Sequence, residues 1–399
     1  KRGKDMFVKN CAKCHGLNGN GYGVVAHGFS TWPRQLWAWY KADSAADSYL
    51  YWIIENGKSD MPPWGLVLSD KERCLYTHDL FFNDVVLTRV MTKEEVTQGT
   101  FYADYDGNSG NASVYFLDNP AGQKVELSKT RNAIMGGPSA DCFDETTQVS
   151  SCHDHVTIKG LIIEKFATLA QRGAIQPRYG NSKGDVGRYW RVEQNEIRWN
   201  HGLGVRLGSH SRLLNNDIHH NGNSGAEVGI HSLVEGNTFA AHNYADYDKS
   251  WSAGAFKIVG TKYTLIRGNY AHDNDGHGMW TDIDNRHVVY EDNISLRNDG
   301  DGYKHEISFD CVMRNNRSFD NYNREGNSWL WGAGILIQNS EGCDVYNNHV
   351  EVGAQGNGIT IVDQNRSFKF SNGVTTVFHG VGNAIHRNKV VYSAGGRSG

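Results

Sequence analysis

Gly254-Ala255-Phe256-Lys257-Ile258, Gly278-Met279-Trp280-Thr281-Asp282-Ile283 and Gly302-Tyr303-Lys304-His305-Glu306-Ile307 are three glycine-led runs of β-forming residues, each followed by a polar corner. Similar runs stand at Gly204-Val205-Arg206-Leu207, Gly225-Ala226-Glu227-Val228, Gly334-Ile335-Leu336-Ile337 and Gly358-Ile359-Thr360-Ile361. In step with them an asparagine recurs at Asn195, Asn216, Asn237, Asn269, Asn293, Asn316, Asn348 and Asn388, with gaps of 21, 21, 32, 24, 23, 32 and 40 residues. A basic period of 21 to 24 residues with occasional insertions implies a solenoid in which every coil packs on the next. Alternate apolar residues should face the interior. Amides stacked in register supply both donor and acceptor, so these asparagines are expected to be structural.

Composition fits stacked strands with tight corners: 46 Gly, 19 Tyr and 11 Trp against only 6 Pro in 399 residues. The length allows two or more domains. A net charge of -4 gives no footprint for nucleic acid, and no run of eighteen apolar residues suggests a transmembrane segment.

A different signal opens the chain. Cys11-Ala12-Lys13-Cys14-His15 places two thiols two residues apart with a histidine directly after them, the pattern that attaches haem covalently. The thiols add to the porphyrin vinyl groups, and His15 is held under the iron. A second strong-field ligand makes such an iron an electron carrier, and a thioether raises its potential. Met61, in Met61-Pro62-Pro63-Trp64-Gly65, is the candidate, with His27 as the alternative. A zinc site would want a second pair of ligands at similar spacing, and none follows within the next fifty residues. One haem c makes a single electron relay and implies a redox partner protein.

Residues 1 to about 73 resemble a small class I cytochrome c, through Gly3 and Phe7, the glycine-rich stretch Gly16 to Gly23, Asn56-Gly57-Lys58 and the helix-opening Leu68-Ser69-Asp70-Lys71-Glu72-Arg73. The resemblance implies a small all-α domain over residues 1–74 in an exported protein, periplasmic or extracellular, from which a leader has been removed. The final helix of that family is not continued, because Cys74 to Phe82 alternates like a strand. Residues 75–399 resemble right-handed parallel β-helix proteins of the carbohydrate-active kind, carried by Tyr102 to Leu127, Trp280 to Asn285 and His305-Glu306-Ile307-Ser308. The expected architecture is therefore multi-domain, all-α followed by an all-β solenoid.

Cys311 and Cys343 each precede a coil asparagine by five residues, so they should stack on neighbouring coils, as a bridge or as a reduced ladder. Cys142 and Cys152 flank a polar loop and make the better disulfide pair, which leaves Cys74 single.

Counting from each corner asparagine brings Arg206, Glu227, Lys257, Asp282 and Glu306 to nearly one phase, a charged column with Trp280, Asp284, Lys304 and His305 beside it. Insertions at Asn243 to Trp251 and Asn321 to Trp329 leave the solenoid about three coils apart and could wall a cleft over that column. Lys257, Asp282, Lys304, His305 and Glu306 are the candidate catalytic residues for proton abstraction beside a uronate carboxylate. Lys304-His305-Glu306 resembles the Asp-Pro-His-Glu segment of uronate epimerases, without its aspartate and proline. The alternative is a salt-bridge ladder that keeps an outer sheet soluble. Asp273, Asp275, Asp299 and Asp301 are candidates for calcium, although they lack a calcium-loop signature. Two functions follow: an electron carrier with a scaffold or docking solenoid, or a polysaccharide lyase or epimerase, with a polysaccharide as ligand, attached to a cytochrome.

Overall fold

The computed structural model describes residues 78–90, 92–105, 112–136, 143–144, 149–150, 154–177, 187–322, 330–353, 356–370 and 373–392. Cys11, Cys14, His15, His27, Met61, Cys74, Cys142 and Cys152, the all-α expectation and the boundary at residue 74 lie outside them.

Among the described residues the solenoid consists of three nine-stranded sheets in which every strand pairs in parallel with the equivalent strand one coil away. A coil visits the sheets in a fixed order, as in Arg191–Glu193, then Glu196–Arg198, then Leu203–Arg206. The next coil repeats it with Arg212–Leu214, Asp217–His219 and Ser224–Glu227. Strict register turns single residues into columns. Val192, Leu213, Val234, Ile266, Tyr290, Met313 and Val345 follow one another along the first sheet. Ile175, Val205, Ala226, Phe256, Met279, Tyr303 and Ile335 do so along the third. These inward columns form one continuous buried core.

The asparagine ladder sits at the corner between the first and second sheets. In each rung the side-chain Nδ2 donates to Oδ1 of the next asparagine, as from Asn216 to Asn237 (2.9 Å), Asn237 to Asn269 (3.0 Å) and Asn269 to Asn293 (3.0 Å). Nδ2 also donates back to a carbonyl of the preceding coil, from Asn237 to Leu213 O at 2.8 Å. Oδ1 accepts in addition the backbone N–H of the asparagine before it, so the corner's polar groups are satisfied from within the stack. The residue just before each rung is in the left-handed region: Gln194, Asn215, Gly236, Gly268, Asp292, Asn315, Asn347 and Arg387 all have φ between 52° and 66°. Gly, Asn and Asp tolerate that conformation best, which explains their dominance there.

A second ladder, which the sequence reading missed, runs at the corner between the second and third sheets through Asn200, Asn221, His242, Asn274, Asn298 and Asn321. Each member lies five residues after one of the first ladder, so the same spacing carried the signal. Gly278 shows why coils restart on glycine: a Cβ there would lie 2.3 Å from Gly302 O on the next coil and 2.5 Å from Ser295 Oγ.

The segment from Tyr102 to Leu127, expected to join the coils, folds otherwise. Thr100–Tyr105 pairs antiparallel with Ala112–Phe116, and Leu80–Phe82 is flanked antiparallel by Val85–Val86 and Val125–Leu127. Leu80, Leu87, Phe101 and Ala103 bury each other in a separate small core. The chain divides at Leu127/Ser128 into two compact units, and the first solenoid strand is Ile134–Met135. Cys311 and Cys343 stand on adjacent coils as anticipated and are joined in a disulfide, with Cα atoms 4.4 Å apart.

His305 faces the interior. It succeeds Ile258 and Thr281 in an inward column and is fully buried. Its Nδ1 shares a 2.7 Å hydrogen bond with Thr281 Oγ1, which also accepts from the Tyr290 hydroxyl at 2.9 Å. The sequence placed His305 beside the outward charges, but strand alternation puts it on the opposite face from Lys304 and Glu306.

Two outcomes are expected. Asn237→Ala removes a buried rung with all its partners and should cost on the order of 3 kcal/mol, read from the urea midpoint of the β-helix transition. Burial lowers the His305 pKa from 6.5 to about 4. Below pH 6.5 the unfolded chain therefore takes up a proton that the folded chain refuses, and stability falls as the pH drops towards 4, by on the order of 3 kcal/mol from this group. Burial lowers His242 and His277 in the same direction. Urea midpoints at stepped pH should show a shallower fall for His305→Gln; identical slopes would refute the assignment.

Candidate functional site

On the third sheet the outward residues form two adjacent columns. Arg206 pairs in register with Glu227, and Lys257, Trp280 and Lys304 follow one another in the same column. Two positions further along each strand, Val259, Asp282, Glu306, Gln338 and Val362 make the second. The single charged column expected from the sequence is thus split: Asp282 and Glu306 belong to the second file, while Arg206, Glu227 and Lys257 belong to the first. Counting from the asparagines merged the files because Arg206 and Glu227 stand 11 residues after their corner asparagines and Asp282 and Glu306 13 after theirs, a two-residue step that keeps the same face.

The two files meet through side chains. Lys257 Nζ lies 2.7 Å from Asp282 Oδ2, and Lys304 Nζ lies 2.9 Å from Glu306 Oε2. Both ammonium groups also cover the Trp280 ring, at 3.7 Å and 4.3 Å from its centroid. An indole between two cations offers each a quadrupole attraction that strengthens with desolvation. Arg366, on an antiparallel hairpin outside the coil, pairs with Glu306 Oε1. Asp282, Lys304 and Glu306 are buried, with side chains only 7%, 7% and 6% exposed. Such burial exceeds what a soluble surface ladder needs. The ladder does exist elsewhere, in Arg206 with Glu227 and in the exposed Arg297 with Asp273.

Protonation separates the two carboxyls. Burial raises the Asp282 pKa, and the charge of Glu306 adds to the rise, with Lys257 only partly opposing it. Burial would raise Glu306 as well, but Lys304 and Arg366 together hold it below the usual range. Trp280 Nε1, Asp282 Oδ1 and Gln338 Oε1 are buried without a hydrogen-bond partner, and Glu306 Oε2 is met only by the Lys304 ammonium. Each such atom costs about 1–3 kcal/mol unless a ligand or water completes it.

The surroundings are anchored. His277 stands edge-on to Trp280, 4.7 Å between ring centres, and its Nδ1 accepts the Asp301 backbone N–H at 3.0 Å. Asp301 Oδ1 accepts from the backbone of Gly332 and Ala333 at 3.0 and 2.7 Å. From the first insertion, Trp251 O accepts from Lys257 Nζ at 2.7 Å, and Lys249 donates to both Asp275 and Asp299. Of the second insertion only Asn321 and Tyr322 fall among the described residues. Asp284 pairs with Arg286 at 2.9 Å, outside the cluster.

The four aspartates considered for calcium are not gathered. Asp273 is held by Arg297, Asp275 and Asp299 share Lys249, and Asp301 faces His277 and backbone amides. Three of the four are thus paired with side-chain cations, Arg297 or Lys249.

Gln338 and Arg366 escaped the sequence reading. Gln338 follows Glu306 by 32 residues, the same gap as Asn316 to Asn348, so one more step of the count finds it. Arg366 lies off the repeat and carries no periodic signal. A groove of about 540 Å3 lies elsewhere, lined by residues that include His155, Tyr189, Arg191, His210, Arg212 and His231. Its rings stack coil on coil, from His155 through Tyr189, His210, His231 and Tyr263 to His287, with centroids 4.6 to 5.0 Å apart. They cover one another's faces, and among the described residues no carboxylate lines the groove.

Comparison with known proteins separates the two parts. Residues 1–74 match the family described as cytochrome C oxidase, cbb3-type, subunit III, and residues 180–375 match the right handed beta helix region. No curated protein matches the chain. A solved structure described as the complex of XylC with xylose superposes with a TM-score of 0.54 at 16% identity, over 80% of this chain. This chain spans 57% of the length of that protein, and the likeness is one of fold. Among the described residues no helix is long and apolar enough to cross a membrane. The chain thus carries a segment that matches the cbb3-type cytochrome c family, followed by a parallel β-helix.

Proposed function

We propose that this is an exported monohaem c-type cytochrome, periplasmic or extracellular, that passes single electrons to a redox partner while its β-helix acts as scaffold or docking domain. The observation that carries this reading is Cys11-Ala12-Lys13-Cys14-His15, which falls inside the segment matched by the cytochrome family. The residues present fit a haem c: two thiols for its vinyl groups, His15 for one axial position and Met61 for the other. Bound there, the haem supplies one-electron chemistry. The chain's part is to fix the axial ligands and limit water at the iron.

A second reading, carbohydrate chemistry on the third sheet, is supported by the buried cluster of Lys257, Trp280, Asp282, Lys304 and Glu306 with its unpartnered polar atoms. The sugar in the solved structure of similar fold makes a saccharide the first ligand to try. A uronate lyase or epimerase would set Lys257 and Lys304 against the sugar carboxylate. His305 has no part in it, being enclosed between Thr281 and Phe309.

For the first reading, a reduced-minus-oxidised spectrum of the holoprotein should be that of a low-spin c-type haem with a sulfur-to-iron charge-transfer band. Met61→Ala should abolish that band and lower the potential. A high-spin wild-type spectrum would exclude Met61 as ligand. For the second, incubation with alginate and pectin should release unsaturated uronides if elimination occurs, with loss of that product in Lys304→Ala.

A further inference from the structure

Asp282 and Glu306 stand directly opposite each other on adjacent strands of the third sheet, both outward and both buried. Neighbouring strands lie about 4.8 Å apart. Carboxyls rooted on directly opposed positions of neighbouring strands can come within the roughly 5–5.5 Å at which one attacks a sugar and the other protonates the leaving group. Gln338 is the next residue in the file, and Trp280 lies two residues before Asp282. We infer that Asp282 and Glu306 form a paired-carboxylate site that hydrolyses glycosides with retention of configuration. This rests on the carbohydrate reading and replaces elimination as its chemistry.

The partners of each carboxyl assign the roles. Glu306 is flanked by two cations, Lys304 and Arg366, and stays ionised as the nucleophile. Asp282 has one cation on Oδ2 and nothing on Oδ1, so Oδ1 is free to carry and deliver a proton. The directions of their pKa shifts agree, upward for Asp282 through burial and downward for Glu306 through its cations despite burial. Arg366 is the outermost member, 38% exposed and on a separate hairpin, so the sugar reaches Glu306 Oε1 by displacing it.

The first step forms a bond from Glu306 to the anomeric carbon and breaks the glycosidic C–O bond, while the Asp282 proton goes to the leaving oxygen. In the second, Asp282 takes a proton from water, the water oxygen bonds to the anomeric carbon, and the Glu306 carboxylate leaves. Water is the only co-reactant. The unpartnered Trp280 Nε1 donor and the Asp282 Oδ1 and Gln338 Oε1 acceptors suit a ligand rich in hydroxyls, since a hydroxyl both accepts and donates. Elimination fits less well. It needs a base beside an acidic C–H, whereas both lysines here are turned to a carboxylate and the Trp280 ring, and His305 points inward.

The test uses the full holoprotein with aryl xylosides, arabinosides, hexosides and uronides, and with fluorinated glycosides that trap a glycosyl-enzyme. Hydrolysis and a mass gain of one glycosyl unit, mapped to the peptide holding Glu306, are expected. Glu306→Gln should abolish the label and lower kcat by about 10³-fold or more; Asp282→Asn should keep the label but lose about 10²–10⁴-fold on substrates with poor leaving groups. A label on Asp282 instead would overturn the assignment of Glu306 as the nucleophile. Trapping in the wild type does not depend on whether either variant folds. Unsaturated uronides without hydrolysis would overturn this inference and leave the carbohydrate reading standing. Neither label nor hydrolysis across the panel would also overturn it.

Discussion

Every part of the β-helix depends on the hydrogen-bonded amide ladder that fixes one coil against the next. A parallel strand pair alone specifies register weakly, and a slip by one residue would exchange its inward and outward faces. The buried asparagine at each corner removes that freedom. Its two N–H groups and its oxygen are all matched by neighbouring coils, so a shifted coil would strand them in the interior. The second ladder does the same one corner later, with His242 standing in for one asparagine; its Nδ1 accepts the Asn221 N–H at 3.1 Å. Burial keeps His242 well below the ordinary histidine range, as that accepting role requires.

Fixed register makes the third sheet two surfaces with different chemistry. Inside, Thr281 and His305 interrupt an aliphatic column, yet Tyr290 and Phe309 O complete their hydrogen bonds. Outside, the same coils carry Trp280 and Asp282, then Lys304 and Glu306. Removing these charges from water is costly, and direct pairing offsets the cost only when geometry is good. Here each lysine has a carboxylate within 3 Å and an aromatic face beneath it. Such close charge matching offsets the burial of these groups.

Much of this was legible in the residues. The asparagine period marked the coil repeat, its insertions and the stacking of Cys311 on Cys343, because a buried amide recurring at one corner leaves a signal at constant phase. Outward and inward assignments were less accessible. Lys304, His305 and Glu306 are adjacent in sequence, so a reading by phase from a distant corner grouped them together, and only the strand's own alternation separates His305. The segment from Tyr102 to Leu127 misled for a related reason: alternating apolar residues mark a strand without saying whether its partner is a coil or a hairpin. Arg366 could not be found, since its contact with Glu306 spans 60 residues and depends on a hairpin outside the repeat.

The division of labour within each coil explains why a buried cluster of charges can sit on so regular a frame. The amide ladders and inward apolar columns involve positions that never reach the third sheet's outer face, so their stabilisation is independent of what that face carries. Outer positions are then free to hold burdens a small core would not tolerate: a carboxyl with its pKa raised, an indole between two ammonium groups, and polar atoms left without partners. Insertions are accommodated on the same principle, because 32-residue gaps extend the loop and leave the ladder spacing intact, as at Asn237 to Asn269 and Asn316 to Asn348. The frame fixes where Asp282 and Glu306 stand, and the Arg366 hairpin outside the repeat adds a cation to Glu306.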